Sequence, residues 1–187
     1  MGYALSWAAT KGDAETVHSA LGLRPTGKRE ESPKSDIVGA ELRGGWYLVL
    51  YRGCDAARRA RESLSRLGEV VYCSVEEHVM VSAASAWKDG KCLWSVVHDG
   101  QEGINDLQVK GALPASFASI RDRQKAKQDA GEKVPIDGEE FAVDHMFDVP
   151  VDLALELTGF RHDRDVPGVE GNAYEVLESA KKRWGLF

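Results

Sequence analysis

Two histidines and an aspartate lie at the far end of a stretch, residues 70–100, whose pattern is typical of a β-hairpin. Asp89-Gly90 is a preferred pair for a two-residue type I′ turn. With that turn, His78 and Asp99 become diagonal neighbours on one face, about 7–8 Å apart. A carboxylate beside a histidine fixes its tautomer and raises its pKa, which prepares a general base. His78, Asp99 and His98 are therefore catalytic candidates, with a structural His–Asp pair or no contact as the simpler alternative.

The same hairpin carries two tryptophans that the predicted register places together. Trp87 and Trp94 fall on one face as diagonal neighbours, and His98 shares that face. They either anchor the core or form a platform on which a ligand stacks, which makes them binding candidates. If the face is core, His98 is a buried histidine bonded to backbone. A register slip of one residue exchanges the two faces, so each of these statements depends on the turn.

A second group of ionisable residues lies in the C-terminal part of the chain. His145, His162 and Asp163 are candidate metal ligands, because histidine and carboxylate sets bind transition metals. Adjacent residues on a strand point in opposite directions, however, and no H-x-x-x-H spacing is present. The stretch 22–28 fits most of a phosphate-binding loop but is followed by arginine instead of serine or threonine. We therefore expect no metal and no cofactor.

The composition indicates a globular chain. It has 187 residues, 43% of them apolar and 29% charged, which suits one domain or one domain with an appendage. The formal charge of −6 argues against binding to nucleic acid. Three cysteines without zinc spacing suggest reduced thiols. There is no apolar run of about 20 residues and no signal-type N-terminus, so we expect no membrane association and a cytoplasmic location.

The order of predicted elements favours an α+β fold. A first strand, a helix capped by Asp13, two strands over 37–42 and 46–51, a helix from Asp55 and a strand over 69–75 give β-α-β-β-α-β. This is the ferredoxin-like arrangement. The long hairpin then extends it, and residues 24–36 are predicted to be a mobile loop.

The rest of the chain is predicted to be helical around a linker. A helix begins at Leu113-Pro114, and a polar linker covers 128–140. A short helix with an apolar stripe follows over 151–158, and Asn172 caps a last helix that includes Trp184. The predicted organisation is an α+β domain over 1–127, the linker, and a helical extension over 141–187 packed on the same domain.

Two segments carry a resemblance to other proteins. One is Trp87-x-Asp89-Gly90-x₃-Trp94-x-Val96-x-His98-Asp99-Gly100, with Leu113-Pro114 downstream. The other comprises Phe147-Asp148-x-Pro150, Leu157-x-Gly159-Phe160 and Arg161-His162-Asp163. Together they resemble a family of small uncharacterised bacterial proteins with no assigned activity. The resemblance implies a bacterial cytoplasmic protein and transfers no catalytic residue.

These observations favour a non-catalytic interaction protein. The acidic balance suits an immunity-type or inhibitor-type binder of a basic protein. The alternative is a small-molecule-binding protein or enzyme that uses a His/Asp pocket on the 70–100 hairpin. A third class, an oligomeric structural protein such as a homodimer, stays open because ferredoxin-like sheets often leave an edge that can pair.

Overall fold

The computed structural model describes residues 2–136, 138–169 and 171–180. The fold is α+β, with a nine-stranded antiparallel sheet in the order β2-β11-β3-β4-β1-β5-β6-β7-β8 and a separate two-stranded sheet of β9 and β10. The strands are β1 (Ala4–Lys11), β2 (Leu23–Glu30), β3 (Ile37–Leu42), β4 (Trp46–Arg52), β5 (Val70–Glu76), β6 (Val81–Lys88), β7 (Lys91–Asp99), β8 (Gln108–Gly111), β9 (Lys133–Ile136), β10 (Glu139–Ala142) and β11 (Tyr174–Ser179). The helices are α1 (Ala14–Leu21), α2 (Arg58–Leu64), α3 (Phe117–Ala130) and α4 (Asp148–Thr158).

The helix ends follow from local chemistry. Asp13 precedes α1, and its carboxylate accepts the backbone N–H of Thr16 at 2.8 Å, as predicted. Gly22 ends the helix in the left-handed conformation with φ 63°. Gly131 and Gly159 end α3 and α4 in the same way. After α1 the chain enters β2 of the large sheet, whereas after α3 it enters β9 of the separate two-stranded sheet.

Helices cover both faces of the sheet and bury two separate cores. Successive residues of a strand face opposite sides, so Trp7 and Ala8 in β1 enter different cores. The core of Ala8 contains residues of α1 and α2, such as Val17 and Leu64. The core of Trp7 contains residues of α3 and α4, such as Leu153. The sheet is therefore the middle layer of three.

The long hairpin has the predicted turn but not the predicted register. Asp89 and Gly90 both have positive φ, and Trp87 pairs with Cys92 as expected. The next pair is Ala86 with Trp94, so Leu93 is an extra, bulged residue. Every later pair is shifted by one, and the two indoles lie on opposite faces of the sheet. The predicted shared tryptophan face is wrong.

The bulge gives the two tryptophans different environments. Trp94 is 5% exposed and belongs to the core beneath α3 and α4. Trp87 lies on the other face, where the guanidinium of Arg61 from α2 sits 3.9 Å from its ring centroid. Trp87 and Trp94 therefore pack within the fold, and the structure forms no joint stacking platform from them.

Two segments have a different structure from the one predicted. The predicted loop 24–36 contains most of β2, which is an edge strand whose polar side chains are exposed to solvent. The segment predicted as the last helix contains β11, which inserts between β2 and β3. Trp184, predicted on that helix, lies outside the described residues. Both segments are strands because each supplies the other with a hydrogen-bonding partner.

The predicted linker also contains regular structure. Helix α3 extends to Ala130, and β9 and β10 then pair as an antiparallel hairpin. The predicted short helix is confirmed as α4, which contacts β5, β6 and β7. The domain boundaries themselves stay a prediction. Within the described part of the chain, no helix has the length and apolar character needed to cross a membrane.

Candidate functional site

His98 is a structural residue tied by both ring nitrogens. Its Nδ1 lies 2.7 Å from the backbone oxygen of Asp106, and its Nε2 lies 2.9 Å from Oδ2 of Asp144. The side chain is fully buried. Burial lowers its pKa, but the hydrogen bonds to Asp144 and Asp106 outweigh burial and raise it above the usual value. The alternative of a buried, backbone-bonded histidine is therefore confirmed, and neither nitrogen is left for a substrate.

The structure does not bring His78 and Asp99 together. His78 lies on the turn between β5 and β6, with its Nδ1 2.7 Å from Oε1 of Glu76 and its side chain 62% exposed. The Asp99 carboxylate accepts the backbone N–H of Gln101 at 2.9 Å. Among the described residues, no hydrogen bond or ion pair joins His78 to Asp99. The predicted diagonal contact is wrong and the alternative of no contact is correct, because His78 precedes β6 and the bulge moves β7 by one residue.

The candidate metal ligands are dispersed. His145 is buried beside Glu132, with 3.0 Å between Nε2 and Oε2, whereas His162 and Asp163 lie beyond the end of α4. Over residues 2–136, 138–169 and 171–180, no group of three or more His, Cys, Asp or Glu side chains is arranged to hold a metal ion. His162 nevertheless belongs to the site that the geometry favours.

One aromatic contact and three ion pairs fix the segment that carries His162. After Gly159 ends α4, the fully buried Phe160 packs edge-to-face on Trp7, with 5.4 Å between ring centroids. Arg161 then donates to three carboxylates, and its pKa is raised because their charges outweigh burial. Its partners are Asp148 at 2.7 Å, Asp152 at 2.6 Å and Asp163 at 2.7 Å. His162 is thus held between two anchored neighbours.

His162 pairs with a carboxylate from the hairpin. Its Nε2 lies 3.4 Å from Oε1 of Glu77, which follows β5. The other oxygen of Glu77 accepts the backbone N–H of Tyr3 at 2.9 Å, and the Tyr3 ring packs edge-on against the imidazole at 5.0 Å. Burial lowers the pKa of His162 against the nearby carboxylates, which raise it, and so favours the neutral ring. A neutral ring that donates Nε2–H to Glu77 carries its lone pair on Nδ1.

In the tautomer that donates Nε2–H to Glu77, the Nδ1 atom of His162 is an unsatisfied acceptor. It is buried and has no hydrogen-bond partner in the described part of the protein, and the side chain is only 2% exposed. Buried polar atoms are nearly always paired in folded proteins, so an orphan of this kind is unusual. It therefore marks a place where a donor from outside the chain would be stabilising.

His162 lines a cavity of about 260 Å³ with acidic walls. The wall also contains the phenol of Tyr174, whose pKa burial raises to about 12, with a contribution from Asp165. Three carboxylates and one guanidinium line this cavity, which gives it a formal charge of −2. The charged wall residues are Glu31, Asp163, Arg164 and Asp165.

Two of these carboxylates extend the acidic surface further. Glu31 and Asp165 also line an adjoining cavity of about 250 Å³, beside Val166 and Ala173. Asp163 differs from them because Arg161 holds its carboxylate and, against burial, lowers its pKa. Glu31 and Asp165 are therefore the acidic groups with most freedom to bind a ligand. A donor-rich, positively charged group fits this site, since the carboxylates and Nδ1 of His162 all accept.

Sequence reasoning missed most of this site. The sequence marks His162 and Asp163 as candidates for a different chemistry, metal binding, and it does not mark Glu77, Glu31 or Tyr174 as site residues. The contact between Glu77 and His162 spans 85 residues, and no local pattern signals it. The orphan nitrogen likewise becomes visible only once the fold is known.

Comparisons with protein-family models, with curated proteins and with solved structures gave no match to this chain.

Proposed function

We propose that this protein is a non-catalytic interaction protein that binds a basic group, the side chain of an arginine or lysine on a protein partner. The observation that carries the proposal is a cavity with a formal charge of −2 whose wall includes His162, a histidine with a buried Nδ1 that has no partner among the described residues. An ammonium or guanidinium group would donate to this nitrogen and to the carboxylates of Glu31 and Asp165. Charge-assisted hydrogen bonds of this kind are the strong ones.

The size and walls of the cavity suit one side chain. Its 260 Å³ fall below the range of about 300–1,000 Å³ typical of small-molecule sites. Tyr3 and Tyr174 supply aromatic rings, and a cation over such a ring gains about 0.5–2 kcal/mol. A basic side chain presented by a folded partner fits these features better than a large cofactor does.

The charge of the whole chain supports a basic partner. The net charge of −6 attracts a basic protein at long range and speeds its association. An immunity-type or inhibitor-type role follows, in which the acidic protein occupies a basic surface of a toxin or enzyme. The partner is a protein in this proposal, with no nucleic acid and no membrane.

The test uses Nα-acetyl-arginine amide, a probe whose only charge is its guanidinium. Binding is measured by calorimetry for the wild type, for Glu31→Gln/Asp165→Asn, and for the control Glu102→Gln/Glu139→Gln, which changes the charge equally at two exposed glutamates elsewhere. We expect the site variant to lose at least about tenfold in affinity, equivalent to 1.4 kcal/mol, and the control less than about twofold. Equal losses in the two variants, or equal binding of the neutral probe Nα-acetyl-glutamine amide, would exclude the proposal.

The second candidate is an enzyme that uses His162 as a general base. It is supported by the Glu77–His162 pair, since a carboxylate that orients a neutral histidine is the arrangement found in acid–base catalysis. In this alternative the 70–100 hairpin contributes Glu77 to the pocket, instead of the predicted His98 and Asp99. The substitution His162→Gln distinguishes the two candidate functions. A binding protein should retain part of its affinity for the arginine probe, whereas an enzyme with His162 as its general base should lose its turnover.

Three further proposals concern the context of the protein. We infer that β1, α1, β3, β4, α2 and β5 form a ferredoxin-like unit, which the adjacent positions of the four strands and the shared face of the two helices support. We also propose a bacterial cytoplasmic origin, on the resemblance given above. A homodimer stays open, and light scattering distinguishes it from a monomer.

A further inference from the structure

A second cavity, of about 410 Å³, lies between α3 and α4 and plays no part in the proposed function. Helix α3 contributes Ile120, Arg123, Gln124 and Lys127, which follow the spacing of one helix face. Helix α4 faces it with residues that include Leu155. The volume lies within the range of about 300–1,000 Å³ for small-molecule sites.

The floor of this cleft, which comprises the buried and half-buried lining residues Gln124, Asp148, Asp152 and Arg161, accepts hydrogen bonds. Gln124 is 2% exposed, and its Nε2 donates to Oδ2 of Asp152 at 2.6 Å. Its Oε1 is buried, and no partner for it exists within the described ranges. Asp148 and Asp152 share the guanidinium of Arg161, so the floor has one more carboxylate than cations. A ligand group that donates, such as an ammonium, would satisfy the orphan oxygen.

The rim of the same cleft is basic. Arg123, Lys127 and Arg164 are exposed and line the cleft, against one exposed carboxylate, Glu156. Only Arg123 of the three cations forms an ion pair within the part of the chain that the structure describes, at 3.1 Å from Asp152. The exposed rim residues therefore attract an anion, whereas the buried residues of the floor attract a cation.

We propose that this cleft binds a free α-amino acid with an apolar side chain. The ammonium group lies on the floor at Gln124 Oε1, and the carboxylate lies at the rim between Lys127 and Arg164. Ile120 and Leu155 line the same cleft and contact the side chain of the ligand. The opposite polarity of floor and rim fits both charged groups of a zwitterion, whereas a simple anion or a simple amine has a group for only one of the two.

The probes are L-leucine, 4-methylpentanoate, which is leucine without its ammonium, and 3-methylbutylamine, which is leucine without its carboxylate. Binding to the full chain is measured by calorimetry and by NMR chemical shifts. We expect saturable binding of leucine and at least about tenfold weaker binding of both analogues. If leucine shows no saturable binding, or binds no more tightly than 4-methylpentanoate, the proposal is overturned.

Two variants locate the binding on this cleft. Lys127→Gln removes a rim charge and should weaken the binding of leucine at least fivefold. The control Lys110→Gln removes an exposed lysine on β8 and should change the affinity for leucine less than twofold. Gln124→Met keeps the size of the floor residue but removes its oxygen, together with the amide nitrogen that donates to Asp152. The affinity for leucine should fall, whereas the affinity for 4-methylpentanoate should not. Circular dichroism verifies that each variant folds. Equal affinity of leucine for wild type, Lys127→Gln and Gln124→Met would also overturn the proposal.

Discussion

Removal of the Asp144 carboxylate tests how much the buried His98 pair contributes to stability. His98 is fully buried and Asp144 only 10% exposed, so Asp144→Ala leaves a histidine without its charged partner in the interior. Breaking such a pair costs about 3–5 kcal/mol. The substitution also removes the acceptor for the backbone N–H of Phe147, at 3.2 Å, where the chain enters α4.

The assays are urea unfolding and thermal unfolding, both followed by tryptophan fluorescence at a pH of about 6, below the unfolded pKa of His98, where the contribution of the pair is complete. A loss of about 3–5 kcal/mol lowers the melting temperature of a chain of this size by roughly 6–20 °C. The control is Asp129→Ala, which breaks the ion pair with Lys125 between side chains that are 60% and 43% exposed. Exposed pairs contribute less than about 1 kcal/mol. If Asp144→Ala costs no more than Asp129→Ala, the reasoning about the buried pair is refuted.

The same pair predicts the sign of a pH dependence. The pKa of His98 in the folded protein is raised above its unfolded value of about 6.5. Its stabilising contribution is therefore complete below that value and is lost as the pH rises through the folded pKa. In Asp144→Ala burial dominates, so the pKa of His98 falls and this contribution disappears. An NMR titration of the histidine side chains measures both effects.

Two further substitutions test the packing. Gly39→Ala places a Cβ in a steric clash with the Tyr47 hydroxyl and should cost about 1–3 kcal/mol of unfolding free energy. The control Gly68→Ala, with open space around it, should cost less than about 0.5 kcal/mol. Equal unfolding free energies of the two variants would contradict the close approach of Tyr47 to Gly39. A double-mutant cycle on Arg61 and Trp87 should give a coupling free energy of about 1–2 kcal/mol, because the guanidinium is stacked on the indole and only 12% of the Arg61 side chain is exposed. A coupling near zero would mean that the stack contributes nothing to stability.

Local signals in the sequence predicted local structure. Asp13 and Gly22 are cap residues, and α1 lies between them. Asp89-Gly90 is a turn pair, and the turn forms there. The bulge at Leu93 has no comparable signal, because an extra residue in a strand changes no apolar pattern until the partner strand is known. One bulged residue was enough to exchange the predicted faces.

Nonlocal pairing accounts for the other differences. The segment of β11 has apolar residues at a spacing that also suits a short helix, and periodicity alone does not separate the two. It is a strand because β2 and β3 offer it hydrogen bonds. The candidate site depends on the same kind of information. His162 was visible in the sequence as an ionisable residue, but its partner Glu77 and its unpaired nitrogen arise from tertiary packing.

The ¹⁵N resonance of Nδ1 of His162 tests the proposed binding site most directly. In the free protein at pH 7, the account predicts an unprotonated Nδ1 on a neutral ring. Addition of Nα-acetyl-arginine amide should then shift this resonance saturably as the guanidinium donates to it, while the resonances of His98 stay constant. A protonated Nδ1 in the free protein, or a resonance that does not move while the probe binds, would contradict the account.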